Sequence, residues 1–174
     1  MQGRKFWRSR LLQRGVMFRP VADDDMRWIW AAYRKGGLAS IAPEGLTQQE
    51  LKELIAAHVS RTSETLALWA RMSGGREGVV GLAPVYASGI RAEPHFLWFP
   101  WASTRNRLES AVNLLDHLRR THTALLWTHP SDRNFWVRLC QYGVLNKGCR
   151  IPALFDEQRD AMLYYTRRPK HERR

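Results

Sequence analysis

Residues 96–119 read FLWFPWASTRNRLESAVNLLDHLR, and two periods meet in them. Phe96-Leu97-Trp98-Phe99 is a strongly apolar run of strand type, and Pro100 ends it. Ser103 or Thr104 then supplies a hydroxyl of the kind that caps a helix. Leu108, Ala111, Val112, Leu115 and Leu118 follow at three- and four-residue spacing, the buried stripe of an amphipathic helix. A core strand feeding such a helix predicts an α/β fold.

Working upstream, Val16 to Val21 reads as a short first strand, and Asp23-Asp24-Asp25 suits the positive end of a helix dipole. The helix 26–34 stops at Gly36-Gly37, and a loop with Pro43 leads to a second helix. Thr47-Gln48-Gln49-Glu50 is a capping box, and Leu51, Leu54, Ile55, His58 and Val59 share one face behind it. Residues 64–72 and 78–86 form a hairpin around Ser73-Gly74-Gly75-Arg76, with Leu66, Leu68 and Ala70 on one side. Pro84 argues for an edge position or a bulge in the returning strand. Downstream, 123–128 is a short strand, and Ser131-Asp132 caps a helix running through Phe135, Trp136, Leu139 and Cys140 to Gly143. A last strand pair covers 149–155 and 162–166. Hairpins alternating with helical crossovers predict a mixed central sheet flanked by about four helices in a single domain.

The 174 residues are enough for one core, and no apolar run approaches the ~20 residues of a membrane span. Without a secretory signal, the two cysteines read as free thiols in a cytoplasmic protein. The charge is uneven. Arg4, Lys5, Arg8, Arg10 and Arg14 give residues 1–16 a charge of +5. Arg167, Arg168, Lys170, Arg173 and Arg174, against Glu172, give 167–174 a charge of +4. Of the net +12 only +3 is left for 17–166. The chain thus divides into a basic N-terminal extension, a folded domain over 17–166 and a basic C-terminal tail. Such ends either grip polyanions such as DNA through phosphate contacts or serve as solubilising tails. The first segment also reads as an extension upstream of a start at Met17.

In element order from Met17 to Thr166, the chain resembles the GNAT N-acetyltransferase superfamily. Phe18 to Met26 looks like the usual first strand and helix entry, Val79-Val80-Gly81 like the third strand, and Phe96–Arg119 like the fourth strand and CoA-binding helix. Within that superfamily, 98–106 and Cys140-Gln141-Tyr142-Gly143-Val144-Leu145 resemble the small GNAT-like internal virion proteins A of podoviruses.

The resemblance implies an acyl-CoA held by a glycine-rich loop at the start of the central helix, where backbone N–H groups and the dipole face the diphosphate. One register places Asn106, Glu109 and Ala111 at the three motif positions; a shifted one places Arg105, Leu108 and Ser110 there. Neither contains glycine, and no glycine lies between Gly89 and Gly143. The remaining cofactor-binding candidates are Phe99, Trp101, Arg105, Arg107, Ser110 and Ala111. Arg105 and Arg107 read either as forked donors to phosphate or as solvated charges on the first helical turn. The family's general-acid Tyr falls on Leu139, four residues before Gly143, and Leu cannot donate a proton. Tyr142 is the nearby phenol; Glu93 and His95 are the candidate bases, with ordinary surface roles as the alternative. Trp101 and Trp98 flank Pro100 where acyl groups bind in that family, so indoles either plug the site or pack in the core. Of Trp28 and Trp30, one is expected in the core and the other exposed for a partner. His117, His122 and His129 lack the spacing of a metal site.

The expectation is a virion-associated GNAT-like protein of a tailed phage with a degenerate acyl-CoA site, no bound cofactor, and virion proteins or DNA as partners. The alternatives are an active acyl-CoA-dependent N-acyltransferase and a basic-tailed nucleic-acid-binding protein.

Overall fold

The computed structural model describes residues 17–72, 74–128, 133–156 and 159–166. Both basic ends, the cap at Ser131-Asp132, Ser73 and His129 lie outside the described residues. The elements are β1 (Met17–Pro20), α1 (Met26–Arg34), α2 (Gln48–Arg61), β2 (Glu64–Arg71), β3 (Glu77–Ser88), β4 (Arg91–Pro94), β5 (Leu97–Trp98), α3 (Thr104–Thr121), β6 (Thr123–Thr128), α4 (Arg133–Gln141), β7 (Asn146–Asp156) and β8 (Arg159–Tyr165). A 3-10 turn, Asp23–Asp25, precedes α1. The class is α/β with a mixed sheet and four α-helices among the described residues. The chain's contacts divide it into two compact units.

The first unit holds 17–86 and 95–110. Its strands run antiparallel: β1 pairs β2, β2 pairs β3, and β3 pairs β5. β3 is therefore an interior strand, which corrects the edge or bulge expected at Pro84. Proline is accommodated because its carbonyl still accepts from the His95 N–H at 2.8 Å, so only its missing donor is lost. The register shift lies elsewhere, between Leu68 and Trp69. Thr65, Leu66, Ala67 and Leu68 are all buried, so β2 is covered on both faces and does not show the single apolar side read from its alternation.

One core joins these elements. Met26, Ile29 and Ala32 of α1, Leu38 and Ala42 of the loop, and Leu51 and Ile55 of α2 cluster with Ala67, Val79, Leu82 and Phe99. Trp28 and Trp30 are both half-buried against this core, and Trp30 stacks on Tyr33 at 5.5 Å. Neither is the exposed partner contact expected of one of them. The helix carries two wide indoles on adjacent flanks, and the core is broad enough to take both.

The second unit holds 87–94 and 111–166 of the described residues. β4 pairs β6 in parallel through Arg91–Thr123 and Ala92–Ala124, and β8 lies antiparallel between β6 and β7. Ala111, Val112, Leu115 and Leu118 are buried as the stripe requires, and Leu114 with them. Trp136 of α4 stacks on Tyr164 of β8 at 6.1 Å. The strand β4 was not visible in the sequence: Arg91-Ala92-Glu93-Pro94 has neither an apolar run nor β-branched residues.

Candidate functional site

The turn from β5 into α3 is built by its own side chains. Pro100 and Trp101 follow β5, and the Ala102 N–H donates to the Phe99 carbonyl at 2.9 Å, closing a tight turn. Gly37 faces this turn: a Cβ there would lie 2.5 Å from Pro100 Cδ. The end of the α1 helix and the entry of α3 therefore approach without a side chain between them. Trp101 turns inward. Its indole N–H donates to the Val79 carbonyl at 2.8 Å, and its ring meets Phe99 at 5.2 Å and Trp28 at 6.1 Å. Lys35 Nζ lies over the same ring at 5.6 Å, a cation–π contact. Trp98 stacks on Phe96 at 5.2 Å, nearly parallel.

Ser103 is the N-cap of α3. Its Oγ accepts from the Asn106 N–H at 3.1 Å and donates to Asn106 Oδ1 at 2.7 Å. The Asn106 amide donates in turn to the Arg71 carbonyl at 3.2 Å, fixing the helix start to the end of β2. The Arg107 Nε–H donates back to the Ala102 carbonyl at 3.1 Å. Arg105 Nε binds Glu109 Oε1 at 2.7 Å; the Glu109 side chain is 7% exposed and the Arg105 side chain 61%. Ser110 and Ala111 are fully buried, and Ser110 Oγ has no partner among the described residues.

The other candidates fall apart from this cluster in sequence and setting. His95 is exposed, with its ring edge-on to Tyr86 at 5.3 Å. Glu93 is half-buried in β4, and Tyr142 is half-buried just beyond α4; both belong to the second unit, His95 to the first. Leu139, at the position where the family places its acid, is fully buried. Cys140 is half-buried, and burial pushes its thiol up from the ordinary cysteine range. Asn106 was weighed in the sequence only as a motif position. Its role as a clamp onto Arg71 needs a residue 35 positions away, and no local pattern signals it. The polyanion-binding candidates of both tails lie outside the described residues.

An acyl-CoA diphosphate at this helix start needs free amides, close backbone approach and no competing anion. The first turn meets part of that demand. It holds no acidic residue, it carries Arg105 and Arg107, and the Ser103, Thr104 and Arg105 N–H groups have no acceptor among the described residues. The second turn does not. Glu109 puts a buried carboxylate where the motif calls for glycine, and it occupies Arg105. The residues present do not fit the glycine-loop mode of holding the cofactor.

No protein-family profile matches the sequence, and no curated protein matches it. Solved structures do match in fold. Spermidine N-acetyltransferase from Vibrio cholerae, in complex with CoA and spermine, superposes with a TM-score of 0.64 at 14% identity, over 88% of this chain and 95% of that one. A SpeG K23-Q34 chimera of the Vibrio cholerae enzyme and hSSAT gives 0.64 at 16% identity, over 91% and 99%. The Vibrio cholerae SpeG structure in complex with manganese ions gives 0.63 at 13% identity, over 92% and 96%. At these identities the likeness concerns the fold, and the fold is that of the GNAT acetyltransferases.

Proposed function

We propose that this GNAT-fold chain acts through interaction rather than acyl transfer, with an acyl-CoA site that has lost its diphosphate cradle. The observation that carries this reading is Glu109, a buried carboxylate at a position of the phosphate loop, tied to the arginine that would otherwise meet the phosphates. A buried anion beside a diphosphate opposes binding, and it also consumes the donor that would offset it. The absence of a proton donor at Leu139 points the same way. The finer proposal is a virion-associated role in a tailed phage, with neighbouring virion proteins and DNA as partners of the basic ends. It is supported by the resemblance of 98–106 and 140–145 to podovirus internal virion proteins and by the +9 held in the two ends.

A second reading, an active acyl-CoA-dependent N-acyltransferase, draws on the unaccepted amides at Ser103, Thr104 and Arg105. Calorimetry with acetyl-CoA separates the two. The interaction reading expects binding weaker than about 100 μM and a gain in Glu109→Gly. A dissociation constant of about 1–10 μM for the unaltered chain would establish the enzyme reading instead.

A further inference from the structure

The loop between α1 and α2 encloses a cavity of about 260 Å³, lined by Tyr33, Arg34, Gly36, Ala39, Ala42, Glu44 and Gly45. Its frame is held open. The Tyr33 hydroxyl donates to the Pro43 carbonyl at 2.8 Å and accepts from the Leu46 N–H at 2.7 Å, so a single phenol braces the returning side of the loop. Gly36 and Gly45 have φ of 73° and 84°, and a Cβ at either would meet nothing within 4 Å. The wall is thus bare backbone and small side chains, with free space over it. Ala39 is exposed and Ala42 buried.

The cavity's charges are one of each sign. Arg34 and Glu44 are both exposed and make no ion pair with each other or with any described residue. All the other liners are small or neutral. A guanidinium presents a fork of donors that matches a carboxylate, and a carboxylate side chain matches an ammonium. We propose that this cavity binds a small zwitterion, a free α-amino acid or a dipeptide, with its carboxylate on Arg34 and its ammonium on Glu44. The size sets the limit: drug-sized ligands occupy sites of about 300–1,000 Å³, and this one falls just under that range. In a concave wall each ionic contact is screened less than on open surface. The inference does not depend on whether acyl-CoA binds.

The test is a titration of the ¹⁵N-labelled full chain, followed by its amide resonances. The probes are glycyl-L-alanine, its N-acetyl and C-amide derivatives, and 1,4-diaminobutane. Saturable shifts at Gly36, Ala39 and Gly45 are expected with the free dipeptide. Affinity should fall about five- to tenfold when either end is capped, and by a similar factor in Arg34→Gln and in Glu44→Gln. Ala39→Leu, which fills the space from an exposed position, should abolish the shifts while leaving the rest of the spectrum in place. The proposal is overturned if the dipeptide produces no shifts in this loop, or if the doubly charged diamine or a capped dipeptide binds as well as the zwitterion.

Discussion

The helices α2 and α3 both begin at a hydroxyl N-cap, yet the two starts are made in different ways. At α2 everything is local. Thr47 Oγ1 accepts from the Glu50 N–H at 3.3 Å, while Glu50 Oε2 accepts from both the Thr47 N–H and its hydroxyl at 2.7 Å. An anion from the helix itself fills the positive end of the dipole. At α3 the third residue is Asn106, which carries no charge and spends its amide on the Arg71 carbonyl. Its geometry is set by residues distant in sequence: Arg71, Val79 through Trp101, and Gly37 against Pro100. A locally coded start is self-sufficient and closed to ligands. A start coded by tertiary contacts leaves its first amides without an anion.

That contrast can be broken most forcefully at Trp101. Trp101→Ala removes a half-buried indole and its bond to the Val79 carbonyl, and should cost about 3 kcal/mol in urea unfolding. A loss below 1 kcal/mol would mean that the α3 entry does not lean on its neighbours. Gly37→Ala comes next. Its Cβ would fall 2.5 Å from a proline ring that has no flexible end to yield, so about 1–3 kcal/mol is expected. Melting curves unchanged from the parent chain would show that the turn at Pro100 shifts freely. Thr47→Ala, by contrast, strips one cap and should cost about 1 kcal/mol. Its effect on amide exchange should stay within the first turns of α2, whereas Trp101→Ala should raise exchange in β3 and α3 together.

The same contrast explains what could be read in the sequence. The capping box at Thr47 was legible because its partners lie three residues apart. The stripe of α3 was legible because burial repeats with the helical period. Pro84 misled, since a strand interior can absorb a proline whose carbonyl still pairs, and nothing in the neighbouring residues reports that. The glycine-free loop at 105–111 was plain, but the fate of Glu109 was not: a carboxylate four residues after Arg105 reads equally as a solvated pair, and only the fold buries it. Arg34 and Glu44 share a cavity because Tyr33 braces the loop between them, a contact with no periodic signature.

The smallest expected effect is on the pH dependence of the α2 start, and its sign follows from Glu50. The hydrogen bond from the Thr47 N–H, reinforced by the Thr47 hydroxyl, holds the Glu50 carboxyl below its ordinary value. In the unfolded chain those bonds are absent, and the group titrates near ~4.3. Above that value Glu50 is ionised in both states, and its contribution to stability is fully present. As pH falls through the unfolded value and then through the lower folded one, folding must give up that contribution. Glu50→Gln keeps a weaker box and removes the titration. The stability difference between the parent chain and Glu50→Gln should therefore be constant from pH 7 down to about 5 and shrink below pH 4, as measured by urea unfolding at each pH. Asn106 at α3 has no such titration, so Asn106→Ala should differ from the parent by the same amount at every pH. A difference for Glu50→Gln that grows on acidification would reverse the sign, and would mean that the carboxylate is a burden on the helix start rather than its cap.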